Sequence, residues 1–146
     1  MFNWKVTEKV STKASKEEIW AIWEDVQNWP MWDNDLEWSR IEGSFEEGAK
    51  GELKPKGWPV TSFLITNLSI ENSFETETCM PFTKLVFDHQ ILEENGVNQI
   101  IHTATARGLL APILKFTLGR KLQREFIHSL KQLAKLTEEK SETQKI

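Results

Sequence analysis

Apolar and polar residues alternate at the start of the chain. Phe2, Trp4, Val6 and Val10 share one face, and Asn3, Lys5, Thr7 and Lys9 share the other. A period of two predicts a strand with one face buried. The pattern then turns helical. Ser15-Lys16-Glu17-Glu18 reads as a capping box: the Ser15 hydroxyl accepts from the Glu18 amide, and the Glu18 carboxylate reaches back. Ile19, Trp20, Ile22, Trp23 and Val26 form the stripe behind it. Asn28 or its neighbour can cap a second, shorter helix, with Pro30 in the first turn, where its missing N–H is not needed. Between Leu36 and Arg107 turn signals fall at Glu42-Gly43, Glu47-Gly48, Pro55 to Pro59, Glu71-Asn72, Met80-Pro81 and Asn95-Gly96. They separate six candidate strands whose short connections make them antiparallel. Beyond Gly108 and Pro112 the period is helical, and one continuous helix is expected from about Ala111 to Lys135. Leu118, Leu122, Phe126, Leu130, Leu133 and Ala134 form its apolar stripe, with Arg120, Lys121, Arg124, Lys131 and Lys135 opposite.

The order is strand, two short helices, six strands and one long helix. The fold class is α+β, a helix-grip: a curved seven-stranded antiparallel sheet around a long C-terminal helix, with the short helices closing one end. Such curvature leaves a gap between sheet and helix. Residues 1–140 are expected to form a single ligand-binding domain, followed by a polar tail over residues 141–146.

Composition narrows the function classes. The length of 146 residues suits one domain, and a net charge of −4 gives no reason to expect a nucleic-acid partner. The lone Cys79 excludes an internal disulfide and a multi-cysteine zinc site, and it reads as structural. The N-terminal stretch has no continuous apolar run, and Leu109 to Leu114 is far short of a bilayer span, so no stable membrane insertion is expected. The default expectation is a cytoplasmic monomer or homodimer.

The densest feature is Trp20 to Trp38, a stretch that holds five of the seven tryptophans. Such density means an unusually aromatic core or the wall of a pocket for an apolar guest. Together with the order of elements, the run from Ile19 to Asp33 resembles the START/Bet v 1-like (SRPBCC) superfamily, in particular the polyketide cyclase/dehydrase and lipid-transport group. Agreeing pieces are the strand opening at Phe74, Leu85-x-Phe87-x-His89, Ile101-His102-Thr103, and Gly108-Leu109-Leu110-Ala111-Pro112 ahead of the long helix. The resemblance runs from about Val6 to Leu136. It implies binding of hydrophobic molecules in a cavity under the long helix, and in some members cyclisation or dehydration. The superfamily has no universal catalytic signature, so the resemblance carries over no catalytic residue.

Candidate chemistry centres on His89 and His102. A type I′ turn at Asn95-Gly96 places the two directly opposite each other, whereas a turn one residue earlier, at Glu94-Asn95, changes the pairing but keeps both imidazoles on one face. On their face lie Leu85, Phe87, Ile91, Ile100, Ala104 and Ala106, so both imidazoles point to the concave side. A partly desolvated histidine can act as acid or base near neutrality, which makes these two the catalytic candidates. The plainer reading is that the imidazoles bond each other, a threonine or a water and hold the sheet together. They lack a third ligand at a recognisable spacing, so no metal is expected, and no cofactor is implied. The expected ligand-cavity residues are Trp32, Phe63, Leu85, Phe87, His89, Ile100, His102 and Leu118. Trp58, in the Gly57-Pro59 turn, would be a rim residue or a lid over the sheet edge. The acidic residues Glu24, Asp25, Asp33, Asp35 and Glu37 read as solvated surface and helix caps.

The leading expectation is non-covalent binding of a small apolar or amphipathic, lipid- or polyketide-like molecule. The alternatives are a cyclase or dehydratase using a cavity histidine, and a chaperone-partner module marked by a large exposed apolar patch.

Overall fold

The computed structural model describes residues 3–144, with side chains through Glu139. Phe2 and the last residues of the tail, 145–146, lie outside the described residues. The strands are β1 (Asn3–Thr12), β2 (Leu36–Ile41), β3 (Lys50–Pro55), β4 (Thr61–Ser69), β5 (Ser73–Met80), β6 (Thr83–Glu94) and β7 (Val97–Gly108). They form one antiparallel sheet of seven strands in the order β1-β7-β6-β5-β4-β3-β2. Register shifts between Leu36 and Trp38 and between Ile65 and Asn67 bend the strands locally, which helps the sheet curl.

Between β1 and β2 lie α1 (Lys16–Glu24) and a 3₁₀ helix (Val26–Met31). The capping box closes in both directions: Glu18 N–H donates to Ser15 Oγ at 3.1 Å, and Ser15 N–H to Glu18 Oε1 at 3.0 Å. The second helix differs from expectation. It starts at Val26 after Asp25, so Asn28 lies inside it and Pro30 falls near its end. The tighter winding is anchored elsewhere. Ser39 Oγ donates to Val26 O at 2.6 Å, and Trp29 Nε1 donates to Trp23 O at 2.8 Å.

The C-terminal run is continuous but not uniform. It comprises α2 (Ala111–Leu114), a π-helical stretch (Lys115–Gly119) and α3 (Arg120–Gln144). The expected helix therefore carries a widened turn early in its course, and it continues past residue 140 into the segment read as a tail. Phe126, Leu130, Leu133 and Ala134 are buried against the sheet, whereas Leu118 and Leu122 are only partly buried. Both ends of the run are tied to β1. Trp4 Nε1 donates to Ala111 O at 2.6 Å, and at the far end Thr12 Oγ1 lies 3.3 Å from Thr137 Oγ1.

The buried residues fall into two clusters. The larger joins the aromatic segment to the sheet through Trp20, Trp23, Trp29, Trp32, Phe63 and Phe74, with Leu130 and Leu133 from α3. The smaller gathers Trp4, Leu85, Ala106, Ala111 and Leu114 at the other end.

Candidate functional site

Asn95 and Gly96 both have positive φ, 55° and 78°, as a type I′ turn requires. The turn sets the β6–β7 register, and the concave face reads in rows: Leu85 beside Ala106, Phe87 beside Ala104, His89 beside His102, and Ile91 beside Ile100. The neighbouring strands extend the histidine row, because Glu8 pairs with His102 and Phe74 pairs with His89. The row Glu8, His102, His89, Phe74 thus crosses four strands between the two apolar clusters.

The two imidazoles make a T-shaped contact with ring centroids 4.6 Å apart. No hydrogen bond joins them among the described residues, so the reading in which they bond each other does not hold. His89 stacks on Phe74 at 4.0 Å, and its Nδ1–H donates to the Phe74 carbonyl oxygen at 3.4 Å. His102 is surrounded by Trp23 at 6.1 Å, Trp32 at 5.8 Å and Phe126 of α3 at 5.8 Å. Burial pushes the His89 imidazole down to about 3, against a weak opposing effect of its bond to Phe74. His102 is also driven well below its ordinary value, by burial first and by the adjacent His89 second. Both rings are neutral at pH 7.

Three buried nitrogens around this row have no hydrogen-bond partner among the described residues: Trp23 Nε1, Trp32 Nε1 and His102 Nε2. The contrast with Trp4 and Trp29, whose N–H groups are paired, is informative. Buried indole N–H groups ordinarily find an acceptor. Such nitrogens can hydrogen-bond an oxygen carried by a guest.

Of the eight residues expected at a cavity, His89 and His102 face each other in the central row. Trp32 and Ile100 lie with the larger cluster next to the histidine row, and Leu85, Phe87 and Leu118 lie with the smaller cluster on its other side. Phe63 lies with the larger cluster, stacked on Trp29 with centroids 5.5 Å apart and close to Gly51. Trp23, Phe74 and Phe126 also surround the imidazoles, and none of the three is among the eight expected at the cavity. Phe74 could have been found by pairing β5 to β6 around Pro81-Phe82. Trp58 is exposed in the β3–β4 connection, and Cys79 is exposed on the sheet.

Asp33, expected to be solvated surface or a cap, accepts from the Asp35 N–H at 3.1 Å but is less solvated than expected. Its carboxyl is partly buried and raised to about 6, mainly by desolvation, with Asp35 and Glu125 adding and the Asp35 amide opposing. Its loop meets α3: Asn34 Nδ2 donates to His128 Nε2 at 2.6 Å, and Lys121 Nζ lies 3.6 Å from Asp35 Oδ1. A separate open pocket of about 350 Å³ lies in the β2–β3 connection, lined by Glu42, Glu46, Glu47 and Lys50 among others. Its acidic, solvent-facing lining does not suit an apolar guest.

No family model matches the chain, and no curated protein matches it in sequence. Solved structures do resemble it. The Zhui aromatase/cyclase from Streptomyces sp. R1128 is 12% identical with a TM-score of 0.75, covering 93% of this chain and 94% of its own. A START superfamily protein from Mycobacterium smegmatis is 18% identical with a TM-score of 0.70, covering 90% and 97%. Ara h 8.0201 is 11% identical with a TM-score of 0.69, covering 92% and 97%. At these identities the likeness is one of fold. The chain has the START/Bet v 1-like helix-grip fold.

Proposed function

We propose that the protein binds a small hydrophobic or amphipathic molecule, lipid- or polyketide-like, between the concave sheet and the C-terminal helix. The observation that carries this reading is the row of neutral imidazoles walled by aromatic rings, with three buried nitrogens left unpartnered. A second observation supports it. Val6, Phe87, Leu118 and Leu122 lie with the smaller apolar cluster yet are only partly buried, and the residues beside Phe87 and Leu85 on β7 are Ala104 and Ala106. Small side chains opposite incompletely covered large ones are what a guest would complete. Burying its apolar surface would contribute about 25 cal/mol per Å².

The polar groups narrow the guest further. Indole N–H groups only donate, and neutral imidazoles cannot neutralise an anion. A carbonyl or hydroxyl oxygen on an aromatic or acyl frame fits better than a carboxylate, whose desolvation would go uncompensated. The enzymatic alternative draws support from the fold shared with an aromatase/cyclase. It is disfavoured by the low basicity of His89, since efficient proton transfer at neutral pH wants a group titrating near that pH.

Native mass spectrometry of protein purified from its own cells tests the reading. A co-purifying neutral molecule of a few hundred daltons, released on denaturation, is the expected result. Protein that arrives empty and takes up no phenol, flavonoid or fatty alcohol from a panel would overturn it.

A further inference from the structure

Four large apolar side chains stand in solvent at one tip of the molecule. Phe82 is 80% exposed, Leu109 62%, Ile113 62% and Phe116 75%. The fold brings them together. Leu109 N–H donates to Phe82 O at 2.9 Å, and Leu110 N–H donates to Thr83 Oγ1 at 2.9 Å, fastening the β5–β6 turn to the entry of α2. Gly108 permits this approach: its φ is 127°, and a side chain there would collide with the Phe82 carbonyl. Ile113 and Phe116 follow on the outward side of the helical run whose inward side buries Ala111 and Leu114. Phe82 itself has φ of 53°, an uncommon conformation for a bulky residue, and its ring points away from any core.

Charge gives the patch its partner. The chain carries a net −4, yet between Asn95 and Arg124 it has five Lys or Arg residues and no Asp or Glu. Of these, Arg107, Lys115, Arg120 and Arg124 are exposed. An apolar tip flanked along the chain by the exposed cations Arg107, Lys115 and Arg120 matches a surface that is negative outside and hydrocarbon beneath. A second copy of this chain would bring the same cations against themselves.

We propose that this tip docks the protein peripherally on an anionic lipid bilayer, with Phe82, Leu109, Ile113 and Phe116 entering the interface and Lys115 and Arg120 meeting the headgroups. No helix among the described residues is long and apolar enough to cross a membrane, so the contact is a surface one. Docking here engages the turn that carries Leu114 and Leu118 on its inner side, at the end of the fold where large side chains are least covered. The inference does not depend on what the interior binds.

The test is co-sedimentation of the full chain with vesicles of phosphatidylcholine alone and with added phosphatidylglycerol, at low and high salt. Wild type is expected to bind the anionic vesicles at least about tenfold more tightly, with the preference falling as salt rises. K115Q/R120Q should weaken binding by about fivefold for each cation removed. F82S/F116S should weaken it by about tenfold or more. All four side chains are largely in water, so melting temperatures should stay near the wild-type value, and F116S alone serves if the double variant unfolds. Equal or absent binding to the two vesicle types overturns the proposal, as does unchanged binding in both variants. Loss of a dimer in F82S/F116S by sedimentation equilibrium, without loss of vesicle binding, would reassign the tip to self-association.

Discussion

His89 and His102 face each other across the β6–β7 ladder with ring centroids 4.6 Å apart, yet their surroundings differ. His89 lies flat on Phe74 and bonds its carbonyl, whereas His102 leaves Nε2 unpartnered among Trp23, Trp32 and Phe126. Alternation and one turn explain why they meet. The difference between them comes from β5, which lays Phe74 against His89, and from the helical segments, which bring Trp32 and Phe126 to His102.

The imidazoles should make the fold sensitive to acid. Each is held below the ordinary value of 6.5, so the unfolded chain takes up protons that the folded chain refuses. Above that value both states are neutral and nothing is lost. As pH falls below about 6.5, stability should decline by up to about 1.4 kcal/mol per pH unit for each histidine, and for His89 the decline should continue to about 3. Urea titrations at half-unit intervals between pH 7 and about 5 would measure the slope. His102→Gln should roughly halve the histidine share of that slope. A wild-type stability that is flat or rises on acidification would contradict the burial argument.

Asp33 should act in the opposite sense. Its carboxyl is raised from 3.8 to about 6, so its ionised form is disfavoured in the folded protein. Its contribution is present below 3.8 and is lost as pH rises through 6. Asp33→Asn retains an oxygen for the Asp35 N–H, 3.1 Å away in the wild type. The variant should be more stable at pH 7 to 8, by about 1 kcal/mol after allowance for partial solvent access. The gain should vanish near pH 4, and between these limits the variant should lose stability more steeply than wild type.

The C-terminal run offers a test of helix propensity. Gly119 is buried at the end of the π-helical stretch, and a Cβ there would meet nothing within 4 Å. Gly119→Ala should therefore stabilise the protein by about 0.5–1 kcal/mol, mainly by restricting the unfolded chain. Thermal unfolding would show a rise of a few degrees. A lower melting temperature would mean that the widened turn needs the glycine for a reason other than space.

Local signals made much of the fold legible. The period of two in β1, the capping box at Ser15, the Asn95-Gly96 turn and the stripe from Leu118 to Ala134 each report a backbone requirement written in adjacent residues. The helix after Asp25 was misplaced because its anchors, Ser39 Oγ and the Trp23 carbonyl, come from outside it. The π-helical stretch left no mark in the apolar spacing. Site residues were legible only along strands whose register a turn fixed, which gave His89 with His102. Trp23 and Phe126 reach the imidazoles through packing between distant elements, and pattern alone could not align them, whereas Phe74 follows from the β5–β6 pairing. The raised carboxyl of Asp33 left no local mark either, since one of its causes, the Glu125 carboxylate, lies far along the chain on α3.

Filling the space beside the histidine row should separate a ligand chamber from a merely loose core. Phe87 is partly buried, sits beside Ala104 and lies 6.4 Å from Phe126. A tryptophan at that position adds volume toward the helix where the neighbouring strand offers only a methyl group. If the region is an open chamber, Phe87→Trp should leave the melting temperature within a few degrees of wild type, because nothing is displaced. It should also cut the binding of an uncharged apolar fluorescent dye such as Nile red to the native state by about tenfold. If the region is filled in solution, the same change should overpack it and cost about 1–3 kcal/mol of stability. Unchanged dye binding together with unchanged stability would place any chamber away from Phe87, and the histidine row would then lose its claim to orient a guest.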